Sequence, residues 1–286
     1  MPTKFRPAVV LCCMLLTFRA SGTELKPATA HAFEDYAKQA EARMQGELSD
    51  PRHFLYIDGL PEATRAAALS RLRNGEVVIQ SMTEHGAPVQ VPGGLVHHWM
   101  ATGFVPGVKA DQMLQLWQDY SNYGELYKPD VLDAKILSRD EEHFKVYYRF
   151  YRHAIVTVVY NAEFQVDYVL PEASRNYSQA HSVRIAEVQN PEKSNEKEYP
   201  VGKDHGYMWR ANFYSRCVER DGGVYVQIEF LALSRTVPAA FAWMVNPYIR
   251  SVPRDYLKRY LEQTRAGVLS QSVSSSKIYS RLIPGQ

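Results

Sequence analysis

Apolar and polar residues alternate with a period of two through most of the second half of the chain. Phe144, Val146, Tyr148 and Phe150 alternate with Lys145, Tyr147, Arg149 and Tyr151, and Ala162, Phe164, Val166 and Tyr168 alternate with Glu163, Gln165 and Asp167. That period predicts strands, each with one buried face, over Val131–Leu137, His143–Arg152, Ile155–Leu170 and Ser178–Gln189. Further strands are expected at Glu76–Met82 and Leu95–Phe104, with a short one at Phe54–Ile57. Asp221-Gly222-Gly223 folds Gly206–Glu219 onto Val224–Ser234 as a long hairpin, because this dipeptide class suits the tight turns of antiparallel ribbons.

The period lengthens to that of a helix elsewhere. Thr29–Leu48 carries Phe33, Tyr36 and Met44 at helical spacing. Pro61–Arg73 has Pro and Glu in its first turn and Asn74-Gly75 as a stop. Lys109–Tyr120 gathers Met113, Leu114 and Trp117 into one stripe. A last helix is expected to begin near Pro238, to break at Asn246-Pro247 and to restart at Pro253. It should end near Gly267, with Leu257, Leu261 and Thr264 facing the sheet and Ser-rich Val268–Gln286 frayed beyond it. Thr83–Gly94 and Asn190–Lys203 are rich in Gly, Pro and charge and read as loops. Strands that follow one another without intervening helices make this an α+β chain built on a meander, and disfavour a doubly wound parallel sheet.

A two-residue turn at Asp221-Gly222 sets the hairpin register. Phe213 then lies opposite Phe230, Ser215 opposite Ile228, and Cys217 opposite Val226. The other face pairs Tyr214 with Glu229 and Arg216 with Gln227, with Arg210 and Asn212 alongside. If the apolar set faces inward, the polar face is solvated and Arg216 points to water. If the parity is reversed, Arg210, Asn212, Tyr214 and Glu229 become polar anchors in an apolar pocket. Both readings stay open at this level. The 19 tyrosines bear on either, since each buries a ring and offers a hydroxyl to an amphipathic ligand.

The first 22 residues are of another kind. Lys4 and Arg6 precede the apolar run Ala8–Phe18, and Ala20-Ser21-Gly22 supplies small residues, which predicts a secretory signal cleaved after Gly22. The run is too short to span a bilayer. The chain is thus divided into a signal (1–22), an N-terminal helical extension (23–74), a main domain (75–267) and a tail (268–286). Losing Lys4, Arg6 and Arg19 from 33 basic residues set against 31 acidic ones turns a net charge of +2 into −1, so charge gives no reason to expect a nucleic-acid partner. Cys12 and Cys13 leave with the signal. Cys217 is then alone, no internal disulfide is possible, and a cysteine in an apolar strand is expected to be a small buried hydrophobe.

Little else points to chemistry. Adjacent His97 and His98 fall on opposite faces of a strand and cannot share a metal there. No His-Glu-x-x-His, cysteine-pair, phosphate-loop or nucleophile-elbow motif occurs, and no metal or cofactor is expected. If the chain is an enzyme, Arg210, Tyr214 and Glu229 are the candidate acid–base groups.

Gly94–Asp119, Tyr177–Val188 (YSQAHSVRIAEV) and the run from Asp204 to Pro238 (DHGYMWRANFYSRCVERDGGVYVQIEFLALSRTVP) resemble bacterial START-like proteins of the SRPBCC superfamily. The resemblance covers about residues 75–266. It implies a helix-grip fold, a curved antiparallel sheet wrapped around a long C-terminal helix. It also implies a cavity for a lipid, sterol or polyketide-like molecule, since members of that superfamily bind such ligands and a minority act as cyclases or hydrolases. On this reading Phe144, Val146, Tyr148, Phe150, Phe164, Val166, Tyr168, Phe213, Ile228, Phe230, Leu257 and Leu261 line the cavity. A cavity for a ligand of lipid size is roughly 300–1,000 Å³. The expected function is a secreted or periplasmic carrier of a hydrophobic small molecule. A cyclase or hydrolase using the same cavity is the alternative, as is an interaction protein whose aromatic core is filled.

Overall fold

The computed structural model describes residues 23–153, 156–237 and 253–271. The expected signal, the onset of the last helix near Pro238 and the Asn246-Pro247 break lie outside the described residues.

The N-terminal extension begins with a two-residue strand, β1 (Thr23–Glu24), and helix α1 (Pro27–Ser49). Pro27 sits in the first turn, where its missing N–H costs nothing, and Phe33, Ala37, Ala40 and Met44 recur at spacings of four and three to form the buried stripe. Phe54–Ile57 is not a strand. Two short 3-10 helices, Pro51–His53 and Tyr56–Gly59, occupy this stretch. The Asp50 carboxylate accepts the Arg52 N–H and the Asp58 carboxylate accepts the Leu55 N–H, so side chains satisfy backbone donors that a sheet would otherwise have taken. Phe54, Leu55 and Ile57 plug the space beside Phe104 and Tyr225. Helix α2 (Glu62–Arg73) follows, burying Ala68 and Leu72, and ends at Gly75 with φ +87°.

The sheet then builds up from β2 (Val78–Ser81), β3 (Val89–Val91) and β4 (Gly94–Pro106). Strand β3 lies in the expected loop Thr83–Gly94 and pairs with the start of β4. Helices α3 (Ala110–Gln118) and α4 (Tyr123–Leu126) intervene. Next come β5 (Val131–Asp140), β6 (His143–His153), β7 (Thr157–Glu172) and β8 (Arg175–Gln189). Two short strands, β9 (Lys197–Glu198) and β10 (Lys203–Asp204), occupy the expected loop 190–203, where β9 pairs antiparallel with the end of β8 and β10 pairs with β1. The hairpin β11 (Arg210–Arg220) and β12 (Gly223–Arg235) completes the order β2-β4-β12-β11-β8-β7-β6-β5, every neighbouring pair antiparallel.

The hairpin turns on Asp221 and Gly222, both at positive φ, with Arg220 opposite Gly223. All its cross-strand pairs have the register the two-residue turn predicts, including Phe213–Phe230, Tyr214–Glu229 and Arg216–Gln227. On β8 the register slips at Val183, an extra residue half exposed opposite the Glu163–Phe164 step.

Residues 253–271 form helix α5, which lies across the inner face of this curved sheet and buries Tyr256, Leu257, Leu261, Thr264 and Val268. The helix runs past Gly267, contrary to the sequence expectation, and Val268 belongs to the core and not to a frayed tail. Gly267 serves close packing instead of stopping the helix. A Cβ there would meet the Leu126 side chain at 2.5 Å. A large antiparallel sheet gripping a C-terminal helix, with helices N-terminal to it, is the START-like helix-grip arrangement.

The expectation of one solvated sheet face holds only for the β5–β7 side. On β4, β11 and β12 both faces are buried, because α1 and the segment up to α2 cover the outer face. Arg216, expected in solvent, is 2% exposed.

Candidate functional site

Between the inner face and α5 lies a cavity of about 70 Å³. Its floor is where the sheet carries small side chains. Ser215 on β11 pairs with Ser178 on β8, and Ala180 follows two residues along on the same face. Tyr168 and Val166 on β7, Tyr148 and Phe150 on β6, and Phe213 and Ile228 on the hairpin surround that floor. The roof is aromatic. Trp117 comes from α3, Tyr120 from the turn after it, Tyr123 and Tyr127 from the two ends of α4, and Tyr256 and Tyr260 from α5.

Of the residues expected to line a cavity, Tyr148, Phe150, Phe164, Val166, Tyr168, Phe213 and Ile228 do so. Phe144, Val146, Phe230 and Leu257 are instead packed core, while Leu261 sits over Gly103 and borders a separate void of about 30 Å³. The void is far smaller than the 300–1,000 Å³ expected, because rings fill the space under α5. Tyr148 and Phe150 stack with centroids 5.0 Å apart, and Phe213 leans on Phe230 at 4.8 Å. Tyr127 stacks on Tyr260 at 4.6 Å.

The hydroxyls of this aromatic shell are tied to one another and to backbone. Tyr123 and Tyr168 both donate to the Trp117 carbonyl, at 2.7 and 3.0 Å, and the Tyr120 hydroxyl meets that of Tyr168 at 2.7 Å. The Tyr127 hydroxyl meets Thr264 Oγ1 at 3.1 Å. Burial pushes the Tyr127 hydroxyl up to about 12 and raises those of Tyr120, Tyr123, Tyr148, Tyr168, Tyr256 and Tyr260, so the shell is neutral at physiological pH. One polar atom of the lining, the Trp117 indole N–H, is buried without a partner.

A latch holds α5 over the cavity. Arg259 grips Asp130 through Nε at 2.5 Å and Nη2 at 2.9 Å, and Arg152 bonds the same carboxylate at 3.3 Å while its guanidinium lies 4.4 Å over the Tyr256 ring.

The possible polar anchors are elsewhere. Asn212, Tyr214 and Glu229 lie on the outer face, and so does Arg210, which turns back to the Trp209 carbonyl. Asn212, Tyr214 and Glu229 are buried under α1 in a charged layer, while Arg210 is half-buried. Glu229 accepts from Arg43 and meets His98 Nε2 at 2.5 Å, and the Tyr36 hydroxyl meets His98 Nδ1 at 3.0 Å. Arg216 donates to Glu47 at 2.6 Å and to the Phe54 carbonyl at 3.0 Å. Glu41 accepts the Tyr214 hydroxyl at 2.6 Å and lies 2.9 Å from His181, which holds its carboxyl below the usual range. The sequence pattern put these groups in water because strand parity cannot see a helix from another part of the chain. Cys217 is buried, and that burial pushes its thiol up to about 12. No cluster of three or more potential metal ligands exists among the described residues.

The cavity residues that sequence reasoning missed are Ser178, Ala180, Ser215 and the tyrosines of the roof. Small residues at alternating inward positions among large ones were a legible signal for the floor. Tyr120, Tyr123 and Tyr127 at spacings of three and four, and Tyr256 and Tyr260 at four, were one for the roof.

No known family's sequence profile matches the chain, and no curated protein sequence matches it. Solved structures do. A STAR-related lipid transfer protein from Xanthomonas axonopodis aligns over 67% of this chain and 98% of its own, with 15% identity and a TM-score of 0.43. Human STARD10 aligns over 76% of this chain and 84% of its own, with 11% identity and a TM-score of 0.42. The Zhui aromatase/cyclase of a Streptomyces species aligns over 66% and 97%, with 12% identity and a TM-score of 0.42. By its strand order and the grip of its sheet on α5, this chain has a START-like helix-grip fold.

Proposed function

We propose that the chain is a carrier for a hydrophobic small molecule, held between the inner sheet face and α5. One observation carries this reading: the lining of the internal cavity contains no charged residue and is mostly aromatic, in a fold whose sheet closes over a helix. Because the void is about 70 Å³, a ligand of lipid size enters only by displacing α5 or turning the rings beneath it. The Asp130 latch is the group that such a displacement must break. Of the acid–base groups of a cyclase reading, Tyr214 and Glu229 face α1 and are not available to a substrate in the cavity, and Arg210 lies on the same outer face of the sheet.

The carrier is proposed to act outside the cytoplasm, on the strength of Lys4, Arg6, the apolar run Ala8–Phe18 and Ala20-Ser21-Gly22. N-terminal sequencing of the exported protein is expected to start at or near Thr23. Native mass spectrometry of the purified protein tests the binding reading, with a copurifying hydrophobic adduct expected. Uptake of none of a broad panel of lipids, sterols and aromatic compounds would overturn it.

A further inference from the structure

We infer, provided the carrier reading holds, that Ser178 and Ser215 form a polar anchor in the floor of the cavity. They fix one oxygen atom of the ligand there, a hydroxyl or a carbonyl, while the apolar remainder runs out under α5.

The hydroxyls around the cavity fall into two sets. Those of the roof and walls already have polar neighbours. Tyr123 and Tyr168 donate to the Trp117 carbonyl, Tyr120 meets Tyr168, and Tyr127 meets Thr264. The Tyr148 hydroxyl faces that of Tyr120, Tyr260 faces Tyr127, and Tyr256 faces the Arg152 guanidinium. The two serines differ. Neither Oγ has a hydrogen-bond partner among the described residues, and neither is sealed off by its neighbours as the Trp117 indole nitrogen is. Ser215 is only half-buried although it lies on the inner face beneath α5, so its accessible surface opens into the void.

Their spacing suits a single atom. Ser178 and Ser215 lie directly opposite each other on β8 and β11, which sets their Cβ atoms about 4.5–5.5 Å apart. Two O–H···O contacts of about 2.7–2.8 Å laid end to end span a similar distance, so one oxygen lodged between the hydroxyls bonds both. A hydroxyl accepts from one serine and donates to the other, and a carbonyl accepts from both. The surroundings make the position selective. Val166, Ala180, Ile228, Phe150, Phe164 and Phe213 present no polar side-chain atom, so an oxygen placed against them loses its hydration without replacement. Room alone does not call for serine, since Ala180, two residues along from Ser178, supplies room without a hydroxyl.

Two matched pairs of probes test this by calorimetric titration of the purified protein at pH 7: phenol against toluene, and acetophenone against isopropylbenzene. In a cavity without an anchor the hydrocarbon of each pair binds tighter, because a buried oxygen without a partner is penalised. Here the oxygen-bearing member of at least one pair is expected to bind at least as tightly as its hydrocarbon. Combining Ser178→Ala with Ser215→Ala is expected to weaken that member about tenfold and to leave the hydrocarbon within about twofold. The pair that responds identifies the group the anchor receives. Hydrocarbons preferred in both pairs, or oxygen-bearing probes unmoved by the double substitution, overturn the inference and leave the carrier reading intact. Should the double variant fail to fold, the preference within each pair on the unaltered protein decides. If no probe binds, and neither does a sterol nor a long-chain alcohol, the carrier reading fails and this inference with it.

Discussion

The two faces of the β11–β12 hairpin are both buried and are stabilised in opposite ways. The inner face, from Phe213 and Ser215 to Ile228 and Phe230, meets α5 through rings and aliphatic side chains without a charge. The outer face, from Asn212 and Tyr214 to Gln227 and Glu229, meets α1 through ion pairs and hydrogen bonds. The adjacent histidines of β4 show the same division. His97 opposes Ala232 on the inner face and hydrogen-bonds the Ser234 hydroxyl at 2.9 Å, and burial pushes it down to about 4. His98 opposes Leu231 on the outer face and is held between Glu229 and Tyr36. The charged layer holds the extension on the sheet, and the uncharged layer borders the cavity under α5.

The comparison is broken most directly by paired substitutions in urea unfolding. On the inner face, Phe230→Ala is expected to cost about 3–5 kcal/mol through the cavity it leaves beside Phe213 and Tyr256. On the outer face, Arg216→Met is expected to cost about 3 kcal/mol, because Glu47 loses its buried partner and keeps only Arg43, which also pairs with Glu229. Adding Glu47→Leu should recover much of that loss, whereas no second outer-face change should rescue Phe230→Ala. A tolerated Arg216→Met would mean that Arg43 alone satisfies Glu47.

His97 should give the next largest effect, in the pH dependence of stability. Its folded value lies below the ordinary 6.5, so the unfolded chain takes up a proton that the folded protein refuses. Stability from this residue is full above pH 6.5 and declines as pH falls toward about 4, by about 3 kcal/mol in all. His97→Gln should flatten that limb in denaturant titrations at successive pH values. A limb that survives the substitution assigns the effect to the outer layer instead.

Filling the floor of the cavity comes third. Ser215→Leu is expected to abolish binding of neutral probes while costing about 1–3 kcal/mol for overpacking, measured by thermal unfolding and fluorescence titration side by side. Intact binding in a folded Ser215→Leu protein would place the ligand elsewhere. The smallest effect is expected where the outer face of the sheet is open to water. Lys145 and Glu163 pair across β6 and β7 at 2.7 Å in solvent, and Lys145→Ala should change stability by less than about 0.5 kcal/mol. A larger cost there would blur the contrast between covered and open parts of the outer face.

The sequence by itself determined the features that local periodicity dictates. Strand parity put Phe213, Ile228 and Phe230 on one face, Asp221-Gly222 set the hairpin register, and the spacing of Leu257, Leu261 and Thr264 named the buried side of α5. The resemblance of the hairpin and its flanks implied the grip of sheet on helix. What tertiary structure decided was what covers each face and how much room is left. Nothing in the alternation of Tyr214 and Arg216 with Phe213 and Ser215 reveals that α1, more than a hundred residues earlier, brings Glu41, Arg43 and Glu47 over them. Nor does it reveal that a void remains over Ser178, Ala180 and Ser215 while the rings around it fill the rest. Periodicity is a property of neighbours along the chain, whereas the countercharges of a buried arginine and the volume of a cavity are sums over elements that only folding brings together.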